Sequence, residues 1–167
     1  IAEKEEIFSS EIKHDGFFSF KDFYKFCYDW LTEEFGLSLT EKKYAEKLKG
    51  DSKEIEVEWE GTKKVTDYFK WEVSVKFRVL DLKDVELVEG KTKIRTNKGS
   101  IKVKVSGTLI RDWQGQFEKS SFRKFLRSIY DKWVIPSRVE EMEDKLADKC
   151  DDFLNQAKAW LDLEGRK

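Results

Sequence analysis

The stretch that decides the fold is residues 54–60, Glu-Ile-Glu-Val-Glu-Trp-Glu, followed by residues 69–79, Phe-Lys-Trp-Glu-Val-Ser-Val-Lys-Phe-Arg-Val. Apolar residues alternate with polar ones through both segments. Because successive side chains of a strand point to opposite faces, this alternation predicts two β-strands, each with one buried and one solvated face. The apolar odd-numbered residues from Ile55 to Val79 are therefore expected to face the core.

Shorter segments of the same kind surround this pair. Residues 85–87, 91–96 and 101–109 also alternate, and Asn97-Lys98-Gly99 predicts a hairpin turn between the last two segments. Residues 5–14 alternate less regularly and predict a further strand at the edge of the sheet. Together these segments predict an antiparallel meander of five to six strands.

Segments with helical spacing lie on both sides of the meander. Apolar residues three and four apart predict a helix over residues 17–35, and the charged stretch 40–48 predicts a short second helix. After the meander, residues 122–133 carry one apolar stripe, and residues 137–163 carry another that predicts a long C-terminal helix. The fold class is therefore α+β. No linker composition interrupts the chain, so residues 1–167 are expected to form a single domain.

The order of these elements is similar to the helix-grip arrangement of START-like ligand-binding domains. It consists of a strand, two helices, the meander and a long C-terminal helix. The resemblance is one of topology, covers most of the chain and includes no shared sequence motif. It implies a cavity between the concave face of the sheet and the C-terminal helix. Folds of this kind carry many functions, so function has to be argued from a site.

The composition is that of a folded and highly charged chain. Apolar residues make up 39%, charged residues 40% and aromatic residues 14%, with a net charge of −1. Disordered chains combine few aromatics with a large net charge. No apolar run approaches the roughly 20 residues of a membrane-spanning helix, so no membrane span is expected. The wealth of Lys and Glu beside two Asn and three Gln resembles thermophile composition.

The cysteines and the single histidine bear on location and catalysis. Cys27 and Cys150 are expected to be buried free thiols, which favours a reducing, cytoplasmic location. His14 is the only histidine, which argues against His/Cys metal sites, and a Cys27–His14 dyad matches no recognisable spacing. No glycine-rich phosphate loop is present. We therefore predict no catalytic residue, no metal and no cofactor, and a binding role is favoured over an enzyme.

Binding of an apolar small molecule or a protein partner between sheet and helices is the leading functional expectation. Nine aromatic residues fall within residues 17–35, more than one helix face can hold. Such a surplus favours a pocket wall or a partner surface. The expected cavity walls are Trp71, Val73, Phe77, Val103, Leu146 and Phe153, with Phe23 and Tyr24 near a mouth.

A basic block supports an alternative function. Residues 91–132 hold twelve Lys or Arg and three Asp or Glu, a net charge of +9. A turn at residues 97–99 would place Lys93 opposite Lys104 and Arg95 opposite Lys102. Nucleic acid or another polyanion is the natural ligand of such a surface. The residues expected to contact it are Lys93, Arg95, Lys102, Lys104, Arg123 and Arg127. A solvated sheet face with cross-strand ion pairs explains the same block, and a structural role as an assembly subunit is a third possibility.

Overall fold

An antiparallel sheet of five strands forms the centre of the part of the chain that the computed structural model describes, namely residues 3–115, 120–130, 132 and 136–165. The strands are β1 (Glu3–Phe17), β2 (Ser38–Lys49), β3 (Ser52–Lys64), β4 (Phe69–Glu89) and β5 (Thr92–Arg111). Their order in the sheet is β1-β5-β4-β3-β2. The first strand therefore pairs with the last one, and β2 forms the opposite edge.

The structure describes three helices, namely α1 (Phe20–Asp29), which continues as a π-helical turn (Trp30–Glu34), α2 (Ser121–Ile129) and α3 (Pro136–Gly165). Helices α1 and α3 pack on one face of the sheet and share its core. The predicted long C-terminal helix is confirmed, and it lies against β1 and β5 and touches α1. The predicted helix over residues 122–133 is confirmed up to Ile129, where α2 ends. Residues 131 and 133 lie outside the described residues. None of the helices described is long and apolar enough to cross a membrane.

Burial in β3 and β4 follows the alternation of the sequence. Ile55, Val57 and Trp59 are at most 1% exposed, whereas Glu56 and Glu58 reach the solvent on the other face. Burying each large apolar side chain contributes roughly 1.5–3 kcal/mol, and a register slip of one residue would bury the glutamates instead. The predicted orientation of both strands is therefore confirmed.

The predicted helix over residues 40–48 is wrong, because this segment belongs to β2. Its Lys/Glu-rich composition favours a helix by propensity, yet it has no apolar stripe with which a helix would pack. Paired with β3 from Ser38↔Thr62 to Lys49↔Ser52, its backbone groups gain ladder hydrogen bonds instead. A β-bulge between Glu41 and Lys43 and the many lysines are typical of an edge strand protected from further pairing.

The predicted turn at residues 97–99 is also wrong. These residues lie inside β5, and the chain reverses at Gly90, whose φ is 59°. The alternating segments on either side therefore merge into two long strands that form one hairpin. β4 is interrupted only by a bulge between Leu80 and Lys83, where Asp81 has a φ of 54°.

Asn97 and Gly99 have roles in β5 that differ from turn formation. The Asn97 side chain accepts a hydrogen bond from the N–H of Phe20 at 3.0 Å and donates one to Asp84 at 2.7 Å. A Cβ at Gly99 would lie 3.0 Å from the carbonyl oxygen of Leu80, so the close approach of β4 requires glycine there. Asn97 thus ties the start of α1 to the hairpin.

Helix α3 packs closely against the sheet at Gly107 of β5. A Cβ there would lie 3.1 Å from the Sγ of Cys150 and 3.3 Å from the Cγ of Leu146. Cys27 and Cys150 are both free and buried, as predicted. Burial raises the pKa of the Cys150 thiol to about 12 and raises the pKa of the Cys27 thiol well above its ordinary value. Both cysteines are therefore unreactive core residues of the folded protein.

Candidate binding surfaces

The eight side chains predicted to line a cavity lie together in the core. Seven of them are at most 2% exposed, and Tyr24 is partly exposed. Ring contacts occupy the space between them: the ring centroids of Phe23 and Phe77 are 5.8 Å apart, and those of Phe153 and Trp30 are 5.6 Å apart. Contacts of this kind are typical of a close-packed interior. The role of these residues in ligand binding stays a prediction.

Clefts that the described residues line lie away from these core side chains. One, of about 480 Å³, lies between the β4–β5 hairpin and the start of α1, and Ser19 and Arg95 are among its walls. Another, of about 760 Å³, lies beside His14 and the C-terminal end of α3. Both are lined mainly by polar residues, and none of the eight core side chains lines either. These clefts therefore give the predicted apolar cavity no support.

Tyr24 connects α1 to the edge of the sheet. Its hydroxyl group donates a hydrogen bond to Glu41 of β2, and the same carboxylate oxygen accepts the indole N–H of Trp59 at 3.0 Å. The rings of Tyr24 and Trp59 meet edge-on with centroids 5.0 Å apart. Burial, followed by the hydrogen bond to Glu41, raises the pKa of Tyr24 to about 12. This cluster holds β2 to α1.

The six basic residues predicted to bind an anion lie in three separate places. Lys93 and Arg95 are on the β4–β5 hairpin, Lys102 and Lys104 are on the outward face of β5, and Arg123 and Arg127 are on α2. The predicted pairing of Arg95 with Lys102 is wrong because β5 runs straight through residues 97–99. Arg95 lies opposite Glu86, and Lys102 lies opposite Arg78. Lys93 likewise lies opposite Val88 rather than Lys104.

Two of these residues join three cations that the sequence analysis did not select. Lys102 lies between Arg78 of β4 and Lys13 of β1, and Lys104 lies beside Lys76 of β4. We call these five residues the basic face. The outward positions of Lys76 and Arg78 are visible in the alternation of residues 69–79. The proximity of Lys76 and Arg78 to Lys102 and Lys104 follows from the register of β4 with β5. The predicted turn at residues 97–99 implied a different register.

The glutamate row of β3 is neutralised from the side of β2. Lys43 lies 2.5 Å from Glu56, and Lys49 lies 2.6 Å from Glu54. The hydrogen bond from Lys43 lowers the pKa of Glu56 below its ordinary value. Because β2 supplies these lysines, most of the β3 carboxylates are paired on the side away from β4.

Helix α2 turns its apolar stripe to the solvent. The exposed side chains, from 38% to 68% exposed, are Phe122, Phe125, Leu126 and Ile129. The opposite side of the helix carries Arg127, whose guanidinium is buried 2.9 Å from Glu3 and 3.8 Å from Asp112. A buried guanidinium is tolerated only when it is paired. These ion pairs therefore fix which side of α2 faces the protein.

Metal chemistry and relatives add no further site. Among the described residues, no group of three or more His, Cys, Asp and Glu side chains is placed to hold a metal ion. Comparisons with protein-family models, curated proteins and solved structures found no match for this chain. Function has to be argued from the two surfaces above, the apolar stripe of α2 and the basic face.

Proposed function

We propose that this domain is a non-catalytic binding module and that α2 is the element by which it binds a protein partner. The observation that carries the proposal is the outward apolar stripe of four side chains on α2. These positions, i, i+3, i+4 and i+7, lie on one face of a helix. The same spacing is used by amphipathic helices that fill a hydrophobic groove in another protein.

The observed orientation of α2 leaves four large apolar side chains in contact with water, which is unfavourable for the isolated domain. Burying a Phe or Leu side chain contributes roughly 1.5–3 kcal/mol, so a helix of this composition would normally turn its stripe inward. The ion pairs of Arg127 with Glu3 and Asp112 hold the reverse orientation. A partner that covers the stripe removes these side chains from water, and the free energy of their burial then favours binding.

Charge complementarity indicates the chemistry of the partner's groove. In α2 and its flanking Ser120 and Tyr130, Arg123 and Lys124 reach the solvent and no Asp or Glu is present. The complementary surface is an apolar groove with carboxylates at its rim. A second copy of this chain is a poor match, because packing α2 against α2 would bring Arg123 and Lys124 of both copies together with no carboxylate from either helix.

The other binding classes have weaker support. An apolar small molecule would need a cavity, and the eight residues expected to surround it pack against one another. The helix-grip arrangement enters this proposal only as the scaffold, an antiparallel sheet covered by a long C-terminal helix. An assembly subunit would use the same face of α2, with a permanent partner in place of a transient one.

The experiment compares the wild-type domain with Phe122→Ser/Phe125→Ser and with Leu48→Ser/Val88→Ser. The control removes two exposed apolar side chains, 78% and 69% exposed, from β2 and β4. Proteins captured by the immobilised domain are identified and purified, and their binding to each variant is measured by titration calorimetry. We expect a partner that binds the wild type and the control equally and the α2 variant about 100-fold more weakly, as for the loss of central anchor residues.

A charge variant tests the rim of the groove. Lys124→Glu should weaken binding mainly by slowing association, and the effect should diminish at high salt. Equal losses in the α2 variant and the control would contradict the proposal. Self-association of the wild-type domain that Phe122→Ser/Phe125→Ser abolishes would assign the stripe to a second copy and would also contradict it.

A further inference from the structure

The basic face is a second surface, independent of α2, that lies on the side of the sheet turned away from the core. Along each strand, the outward residues of an i, i+2 pair are about 6.7 Å apart, and adjacent strands are about 4.8 Å apart. Arg78, Lys102 and Lys13 form one row across β4, β5 and β1, and Lys76 and Lys104 form a second row beside it. Five cations thus occupy a patch of roughly 7 by 10 Å, measured between backbone positions.

These five cations have no carboxylate partner among the residues that the structure describes. The ion pairs found in this region join β2 to β3, β1 to β4 near Lys4, and Lys83 to Asp51. Glu11 lies opposite Lys104, Glu58 opposite Lys76 and Glu56 opposite Arg78, but none of the three lies within 4.0 Å of a lysine or arginine nitrogen of the basic face. Glu56 forms its ion pair with Lys43 of β2, and this pair is neutral as a unit. Five positive charges minus those of Glu11 and Glu58 leave an excess of three.

Like charges on directly opposite strand positions destabilise a sheet. Arg78, Lys102 and Lys13 stand in one row across three strands, and Lys76 lies directly opposite Lys104. An anion that binds between them removes this repulsion. The excess charge therefore favours a ligand that presents several negative charges at short spacing.

We propose that the basic face binds nucleic acid through its phosphate backbone, without reading the sequence. A duplex carries one negative charge per about 1.7 Å of its axis, so the roughly 10 Å width of the patch spans about six phosphate charges. Three of the outward neighbours of the cations on β4 and β5 are Ser74, Ser100 and Ser106, which can donate hydrogen bonds to phosphate oxygens. No aromatic side chain occupies the outward positions of these rows, so base stacking plays no part.

An anionic membrane is the less suitable surface for this patch. Peripheral membrane binding by a folded domain commonly adds apolar insertion to the attraction of cations. On β4 and β5, the outward neighbours of the cations are Ser74, Ser100, Ser106 and Leu80, and Leu80 is only partly exposed. A nucleic acid needs only the cations.

The test is a salt titration of binding to short mixed-sequence oligonucleotides, followed by fluorescence anisotropy, with single-stranded RNA, single-stranded DNA and duplex DNA as separate probes. If all five cations contact phosphates, log K should fall with log salt with a slope of about −4.5 for a duplex and about −3.5 for a single strand. Between about 50 and 200 mM salt, the duplex slope corresponds to a loss of roughly 500-fold in affinity.

Matched variants assign the slope to the basic face. Lys102→Gln/Lys104→Gln should make the duplex slope shallower by about 1.8, because two phosphate contacts are lost. The control, Lys25→Gln/Lys145→Gln, removes the same charge from two exposed lysines of α1 and α3 that are paired with Asp29 and Glu141. It should leave the slope unchanged. Glu11→Gln/Glu58→Gln should tighten binding, a gain that a loss of folding cannot produce.

Three results would overturn the proposal. The first is no binding to any probe at low salt. The second is an equal change of slope in Lys102→Gln/Lys104→Gln and in the control, which would show diffuse attraction to the whole surface. The third is binding to phosphatidylserine vesicles, absent with phosphatidylcholine vesicles and lost in Lys102→Gln/Lys104→Gln, under conditions where the oligonucleotides do not bind.

Discussion

Phe153→Ala separates a packed core from a ligand cavity. Phe153 is fully buried on α3, its ring centroid lies 5.6 Å from that of Trp30, and it was predicted to be a cavity wall. If its surroundings are close-packed, the substitution loses the transfer free energy of the ring and creates a cavity in its place. Phe-to-Ala changes in packed cores cost about 3–5 kcal/mol. If the ring lines a void, much of that packing is already missing and the loss is small.

The measurement is urea denaturation followed by tryptophan fluorescence and circular dichroism. A loss of about 3–5 kcal/mol should lower the midpoint without changing the slope of the free energy of unfolding with urea concentration. In a thermal scan the same loss corresponds to a fall in Tm of roughly 6–20 °C for a domain of this size. The matched control is Leu163→Ala, because Leu163 lies on the same helix and is 63% exposed. It should change the free energy of unfolding by no more than about 0.5 kcal/mol.

A small loss of unfolding free energy in Phe153→Ala would contradict a close-packed environment of Phe153. A decrease below about 1 kcal/mol, with an unchanged urea slope, is far less than a packed phenyl ring contributes. It would show that Phe153 borders a void, and the apolar-ligand hypothesis would then regain its structural basis.

Two further perturbations test the clusters that fix the edge strand and α2. The pKa of Tyr24 in the folded protein is about 12, above its ordinary 10.0, so its contribution to stability is complete below pH 10 and is lost as the pH rises through 12. Solvent screening reduces the effect for a partly exposed hydroxyl, so wild-type protein should lose about 1 kcal/mol more than Tyr24→Phe between pH 10 and 12 in urea titrations, and equal losses would contradict the raised pKa. Arg127→Leu should cost roughly 1–3 kcal/mol of unfolding free energy, because it removes one cationic partner of Asp112 and leaves Glu3 with Arg111, whereas Lys124→Leu at an exposed position of the same helix should cost less than about 0.5. Similar values for the two substitutions in thermal scans would show that the ion pairs of Arg127 do not fix the orientation of α2.

The central strands and the long helix were predictable because their burial is periodic. Residues 54–60 and 69–79 alternate without interruption, and every misregister of these strands would bury carboxylates. α3 carries an apolar stripe long enough to specify one face. In these segments local pattern and tertiary environment favour the same structure, which is the condition under which sequence analysis succeeds.

The errors arose where tertiary contacts decided the structure. Residues 40–48 have good helix propensity, but β3 offers them a row of backbone hydrogen bonds and Trp59 and Tyr24 bind Glu41. Asn97 was interpreted as a turn residue, although its side chain is engaged by Phe20 and Asp84. These side-chain partners lie 13 or more residues away in sequence, so no local signal could reveal them. The pairing of β2 with β3 is local, because Lys49 lies opposite Ser52, and the turn at Gly50 and Asp51 is its signal in the sequence.

The candidate surfaces were only partly predictable for a related reason. The basic face needed the register of β1 against β5, which brings Lys13 beside Lys102 across 89 positions of sequence, 102 minus 13. The outward orientation of the α2 stripe depends on Glu3 and Asp112, which are distant in sequence from Arg127. The stripe itself was evident from its spacing, and only its direction was not.

The pairing of β1 with β5 has a consequence for how the protein is made. The last residue of β1, Phe17, lies opposite Lys98, so synthesis must add 81 residues, 98 minus 17, before the first backbone partner of β1 exists. At about 5–20 residues per second, this takes roughly 4–16 s. When Lys98 is added, β2, β3 and β4 are complete and only the first residues of β5 exist. Three strands can therefore pair in sequence order before β1 has any backbone partner, and β1 can join the sheet only through β5.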